Sequence, residues 1–341
     1  MPLNPQTAEF LAMLAASAPA DPPPQTPEVS RQGYRGMAEI YGPGPQLQSV
    51  KDAVVQSADA DIPIRIYKDH SNASAPCLIY MHGGGWVIGD LDTHDKECRL
   101  LAQKARCTVI AIDYRLGPEA PFPAGHLDCL EVLRAVAGHP EDYGVDPNRI
   151  AVGGDSAGGN LAAFLAIAAR DEGIPIAFQA LIYPVTDARS YLRGVDQFDY
   201  ASITENQEGP LLTLEGMRFF LEHTLTSEDS SAEANDWRIS PILAADLAGV
   251  APALVATCGL DPLRDEGNQY AERLMSAGVK TELTEWAGQP HVLFQMSTVT
   301  DDGLKLVDHV ATKLAEALGT CLLYTSPSPR DYAASRMPSS A

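Results

Sequence analysis

The chain has 341 residues, 45% of them hydrophobic and 20% charged, which supplies the apolar material for a large α/β domain and excludes a disordered chain. Its formal net charge of −21 makes an acidic surface that repels phosphate backbones and anionic headgroups, excluding nucleic acid and membrane surfaces as partners. No basic start followed by an apolar run opens the chain and no run is long enough to cross a bilayer, so a cytoplasmic location is expected.

Residues 1–48 open Pro-rich and carry a helical apolar patch at Phe10, Leu11 and Leu14. They are expected to form the N-terminal part of a cap. Residues 53–68 alternate as two strands around Asp59-Ala60-Asp61, the pattern of an antiparallel hairpin at a sheet edge. From there the rhythm changes. Short apolar runs at 76–82, 107–114, 149–154, 176–183 and 253–258 alternate with helix-length segments at 93–105, 124–137, 157–170 and 265–276, followed by a last strand at 280–286 and a helix at 302–318. Such alternation predicts a mostly parallel sheet with helices on both faces.

Residues 187–238 break the βα rhythm and carry Phe219, Phe220 and Leu221, so they are expected as the inserted part of the cap. The core would then run over 49–186 and 239–320. Residues 321–341 change character abruptly and resemble the translation of an adapter used in DNA library preparation. They are expected to carry neither fold nor chemistry. The six cysteines are scattered singly, with Cys77, Cys107 and Cys258 inside apolar runs, and are read as reduced and structural.

Gly154-Asp155-Ser156-Ala157-Gly158 is a G-x-S-x-G sequence set between a predicted strand and a predicted helix. The pentapeptide by itself arises by accident in roughly one chain in ten; the strand-turn-helix context makes it informative. A serine hydroxyl is a weak nucleophile at neutral pH and needs a base for its proton and donors for the oxyanion it creates. His82-Gly83-Gly84-Gly85-Trp86 follows the 76–82 strand, where residues without side chains let backbone N–H groups approach a substrate oxygen. Gly83 and Gly84 are the expected donors there. Ala157, at the start of the helix after the serine, is the third.

The base and acid follow from chain order, since on this kind of sheet the sequence runs Ser, then Asp or Glu, then His. Beyond Ser156 lie only His223, His291 and His309. His223 falls in the expected cap and His309 inside the last helix, which leaves His291, on the loop after the final strand. The acid belongs at the end of the preceding strand, where Asp261 and Asp265 compete. Asp261 is assigned to orient His291, and Asp265, at the start of a helix, to cap free N–H groups. Asp155 is expected to hold the serine turn together.

These residues are similar to those of the hormone-sensitive-lipase-like branch of bacterial esterases, also described as family IV lipolytic enzymes. HGGGW at 82–86, YRLGPEAPFPA at 114–124, GDSAGGN at 154–160, YPVTD at 183–187 and DPLRDEG at 261–267 occur in family order. The resemblance implies an α/β-hydrolase fold with an eight-stranded, mostly parallel sheet and a two-part helical cap. It also implies hydrolysis of short- to medium-chain carboxylic esters through an acyl-serine intermediate, a small-molecule substrate with no metal or organic cofactor, and a monomer or homodimer. Two departures stand out: Gly117 replaces the usual alanine, and Gln289-Pro290-His291-Val292 replaces G-M-x-H-G. Trp86, Phe198, Phe219 and Phe220 are expected to line the substrate pocket. The rival readings are a ligand receptor on the same fold, which would lack the histidine, and lyase chemistry on a related scaffold, which would lack an oxyanion glycine.

Overall fold

The computed structural model describes residues 1–19, 23–192, 199–226 and 230–320. Phe198 and the 321–341 segment, on which two of the expectations above fall, lie outside these residues. The edge hairpin forms as its alternation predicts: β1 (Ser49–Gln56) and β2 (Asp61–Lys68) pair antiparallel, Ser49 with Lys68 through Gln56 with Asp61. The remaining strands are β3 (Ala75–Met81), β4 (Thr108–Ile112), β5 (Val145–Asp155), β6 (Phe178–Ile182), β7 (Ala253–Leu260) and β8 (Thr281–Pro290). They make one sheet in the order β1-β2-β4-β3-β5-β6-β7-β8. Every pairing from β4 to β8 is parallel.

Two helices precede the sheet, α1 (Pro5–Ser17) and α2 (Pro27–Tyr41). Those between its strands are α3 (Asp95–Ala105), α4 (Ala124–Gly138), the single turn α5 (Pro140–Tyr143) and α6 (Ala157–Glu172). The stretch after β6 carries α7 (Ala201–Glu205), α8 (Leu214–Thr224) and α9 (Ser230–Ala234), and the chain closes with α10 (Arg264–Ser276) and α11 (Asp301–Leu318). The inner strands read as unbroken apolar runs because both of their faces are covered. In β3, Ile79 and Met81 enter a core shared with Leu133 of α4, Phe164 of α6 and Tyr270 of α10. Leu78 and Tyr80, one residue out of phase, enter the opposite core with Leu101 of α3 and Val307 of α11.

The chain enters the parallel sheet at β3, and β4 and β5 then lie on its two sides, so the crevice at their carboxyl ends is the topological switch point at which open α/β sheets bind ligands. Parallel register aligns Met81 with Gly154, which places the loop after β3 beside the turn after β5. Strand β8 runs four residues beyond its predicted end. The irregularity between Cys258 and Leu260 lets Leu260 pair with Pro290, carrying the strand to the residue before His291.

Candidate active site

Ser156 stands where β5 gives way to α6, with φ 56° and ψ −119°, a backbone conformation that costs a side-chain-bearing residue roughly 1–3 kcal/mol. Its neighbours explain how the turn closes. A Cβ added at Gly154 or at Gly158 would enter the carbonyl oxygen of Met81, so both positions need glycine for β3 to approach this closely. The Ser156 N–H donates to the Ile182 carbonyl at 2.8 Å, fixing the turn to the next strand as well.

The Ser156 hydroxyl lies 2.9 Å from Nε2 of His291, and Nδ1 of the same ring lies 2.7 Å from Oδ2 of Asp261. All three side chains are buried, Asp261 completely. The other oxygen of Asp261 accepts the Leu263 N–H at 2.9 Å, so the carboxylate is oriented by its own loop. With Asp261 facing Nδ1, the ring carries its hydrogen there and presents a bare Nε2 to the serine. Tyr183, directly after β6, packs its ring 4.6 Å from the imidazole.

Asp265 is not part of this line. Its carboxylate accepts the Ser202 N–H at 2.8 Å and pairs with Arg264 at 2.7 Å. It therefore caps the short helix α7 of the inserted segment; α10, which it was expected to cap, has no side-chain cap at all. The structural role expected of Asp265 holds, but on a helix other than its own, because a carboxylate at a helix start serves whichever free N–H group lies nearest in space.

The glycine loop needs one correction. The N–H of Gly83 donates to Oδ1 of Asp155 at 3.1 Å, so this donor is already committed and does not face a substrate oxygen. The Gly84 carbonyl accepts from Val87 and Ile88 N–H groups at 3.1 and 2.9 Å, closing a turn. Among the described residues the N–H groups of Gly84 and Gly85 have no partner, and Ala157 opens α6, where a helical N–H finds none within the helix.

Asp155, as expected, braces the turn. It also receives the Tyr80 hydroxyl at 2.6 Å, and His94 lies within 3.4 Å of both its oxygens. Burial pushes its carboxyl up, but the His94 charge and the hydrogen bonds from His94 and Tyr80 outweigh it and hold the group below the usual range. The serine turn and the glycine loop are thus tied together by one buried carboxylate.

Of the aromatic side chains expected at the pocket, Phe220 sits over the glycine loop: a Cβ on Gly85 would enter its ring. Phe219 packs edge-on to Phe220 at 5.7 Å, and both are half-buried. Trp86 is only 3% exposed and lies in the main core with its ring stacked on His126 at 6.5 Å. Among the described residues no group of His, Cys, Asp and Glu could hold a metal ion.

A serine on a strained strand-to-helix turn of a doubly wound sheet, with an imidazole and a carboxylate in line behind it, is the arrangement of an α/β hydrolase. Residues 78–295 match the α/β-hydrolase-fold family. The carboxylic ester hydrolase LipN of Mycobacterium tuberculosis is 42% identical over 261 residues, 74% of this chain and 66% of LipN. The ethyl acetate hydrolase of Pseudomonas putida is 34% identical over 321 residues, 90% of this chain and 98% of that protein. Among solved structures, the α/β hydrolase LAE6 from the metagenome of Lake Arreo has a TM-score of 0.86 at 39% identity, over 93% of this chain and 99% of its own. The chain belongs to the α/β-hydrolase-fold family, in its hormone-sensitive-lipase-like branch.

Proposed function

We propose that this carboxylic ester hydrolase works through an acyl-serine intermediate, with Ser156 as nucleophile, His291 as general base and then acid, and Asp261 holding the imidazole. The observation that carries the reading is the continuous line of 2.7 and 2.9 Å contacts from Asp261 through His291 to Ser156. His291 takes the serine proton as the oxygen adds to the ester carbonyl. The N–H groups of Gly84, Gly85 and Ala157 stabilise the oxyanion. Collapse expels the alcohol, which leaves with the proton from His291, and water repeats the sequence to release the acid.

The substrates we propose are small esters with acyl chains from acetyl to about hexanoyl. Each buried methylene adds about 0.8 kcal/mol while there is room, and Phe220 over Gly85 limits that room. Residues 1–48 and 187–238 act as the two parts of a cap. Supporting this, Arg31 of α2 bonds to the Val87 carbonyl at 2.9 Å, and Thr224 of α8 bonds to the Gly85 carbonyl at 3.2 Å, both on the glycine loop.

The five cysteines among the described residues are free and buried, which suits the reducing cytoplasm. No helix of the described residues is long and apolar enough to cross a membrane. For a homodimer, β8 offers an open sheet edge.

Replacing Ser156 by Ala tests the mechanism. Hydrolysis of p-nitrophenyl acetate should fall by several orders of magnitude with the melting temperature retained, and a fluorophosphonate should no longer label the protein. Stoichiometric labelling of the variant would place the nucleophile elsewhere.

A further inference from the structure

We propose that Gln289 is a positioning residue for His291 and that the first turn of α1 holds it in place; this rests on the reading of His291 as the general base. Gln289 is completely buried, two residues before His291. Its amide is gripped from both sides. The Thr7 hydroxyl donates to Oε1 at 2.7 Å, and Nε2 donates to Oδ2 of Asp302, the second residue of α11, also at 2.7 Å.

The orientation of that amide is dictated by its neighbours. An ionised carboxylate can only accept, so the nitrogen must face Asp302 and the carbonyl is left for the hydroxyl. The hydrogen bond from Lys305 outweighs burial and, with that from Gln289, holds the Asp302 carboxyl below its usual range, which keeps it ionised at neutral pH.

The same N-terminal segment reaches both ends of the stretch that carries His291. Asn4 donates its backbone N–H to the Gly288 carbonyl at 2.9 Å and its amide nitrogen to Asp302 at 3.2 Å, while Gln6 accepts the Asp301 N–H at 3.0 Å. Between those ends the backbone is strained. Val292, directly after the imidazole, has φ 70° and ψ 9°, a left-handed conformation that a β-branched side chain opposes.

A loop held against its own preference returns to a relaxed form unless its surroundings over-determine it. Here the surroundings are Thr7 and Asp302 through Gln289 on one side of His291. On the other side, Gln295 accepts from Tyr34 at 3.0 Å through its amide and from Lys96 at 2.6 Å through its carbonyl. Residues from the first helices of the chain thereby set the angle at which Nε2 meets the Ser156 hydroxyl. Alignment of this kind acts on the chemical step and leaves ester binding unchanged.

The experiment compares Thr7→Val, which keeps the shape of the side chain and removes the hydroxyl, with Thr7→Ser, which restores it, both in the full chain. For p-nitrophenyl acetate, kcat of the Val variant should fall on the order of tenfold with KM within about twofold, and the Ser variant should recover most of the loss. The low-field proton NMR signal of His291 Nδ1–H should broaden or shift in the Val variant and return in the Ser variant. Assays are run below each variant's unfolding transition. The proposal is overturned if Thr7→Val keeps its kcat, if the loss tracks the unfolded fraction, or if Thr7→Ser is as impaired as Thr7→Val. Ser156→Ala, assayed alongside, separates the two levels: activity surviving there would sink the reading of the site itself, whereas a dead Ser156→Ala beside an unaffected Thr7→Val would sink only the role of Gln289.

Discussion

Asp261 and Asp265 sit four residues apart at the end of β7, yet only Asp261 reaches the imidazole. Asp261→Asn should leave the protein folded and lower kcat by about three to four orders of magnitude, because an amide cannot hold the Nδ1–H tautomer as a carboxylate does. Asp265→Asn should retain kcat within a few-fold and lose about 1 kcal/mol of stability, the usual cost of a weakened helix cap. Steady-state kinetics and thermal melts of the two variants separate these roles. An inactive, fully stable Asp265→Asn would reverse the assignment. Gly83 shows the same dependence on surroundings, since its N–H is spent on Asp155 while the next two glycines in an identical run keep theirs open.

At the scale of elements, the position of α8 is governed by contacts that leave little slack. Its Thr224 carbonyl accepts the Phe122 N–H at 2.8 Å, and its Phe220 covers Gly85. Gly117, where the family usually has alanine, accounts for the close docking: a Cβ there would enter the His223 carbonyl oxygen. Gly117→Ala should therefore push the last turn of α8 away from the glycine loop, and Phe220→Ala should open the same space by removing the ring. Both should move the optimum of kcat/KM across p-nitrophenyl esters toward longer acyl chains, by one or two carbons at about 0.8 kcal/mol per methylene. An optimum that stays put in both variants would show that the acyl chain does not lie under α8.

For the molecule as a whole, buried histidines make one identifiable contribution to the dependence of stability on acid. His126 is enclosed by Trp86, Phe122 and Phe164, and its Nε2 contacts the side-chain amide oxygen Oδ1 of Asn160 at 3.1 Å. Burial pushes it down to about 4 in spite of that hydrogen bond. In the unfolded chain it would take up a proton near its ordinary value of 6.5. Between those values the unfolded state binds a proton that the folded state refuses. The contribution of neutral His126 is thus complete above about pH 6.5 and is lost as the pH falls toward 4. His82, also pushed down to about 4 by burial, acts in the same sense, and His94, raised, in the opposite one. Asp113, pushed up to about 6 by burial, and the buried Glu97 and Glu266, also pushed up, act against His126, so its contribution is read from the slope of melting temperature against pH at constant ionic strength. His126→Gln, which stays neutral throughout, should flatten the slope, and an unchanged slope would exclude His126 as a source of it.

The parts of this protein legible in the sequence are those that local chemistry dictates. Apolar runs long enough for a strand and helix-forming segments between them determined a doubly wound sheet. Glycines flanking Ser156 announced a turn that tolerates no Cβ, and chain order together with position at strand ends and loops singled out His291 and Asp261. What the sequence could not carry is any choice among chemically equivalent groups. Which of three adjacent glycine N–H groups is already engaged, which helix Asp265 caps, and how Gln289 comes to lie between Thr7 and Asp302 all depend on residues far apart in the chain. A hydrogen bond forms with the partner nearest in space, and only the packing of helices and strands on one another decides which partner that is.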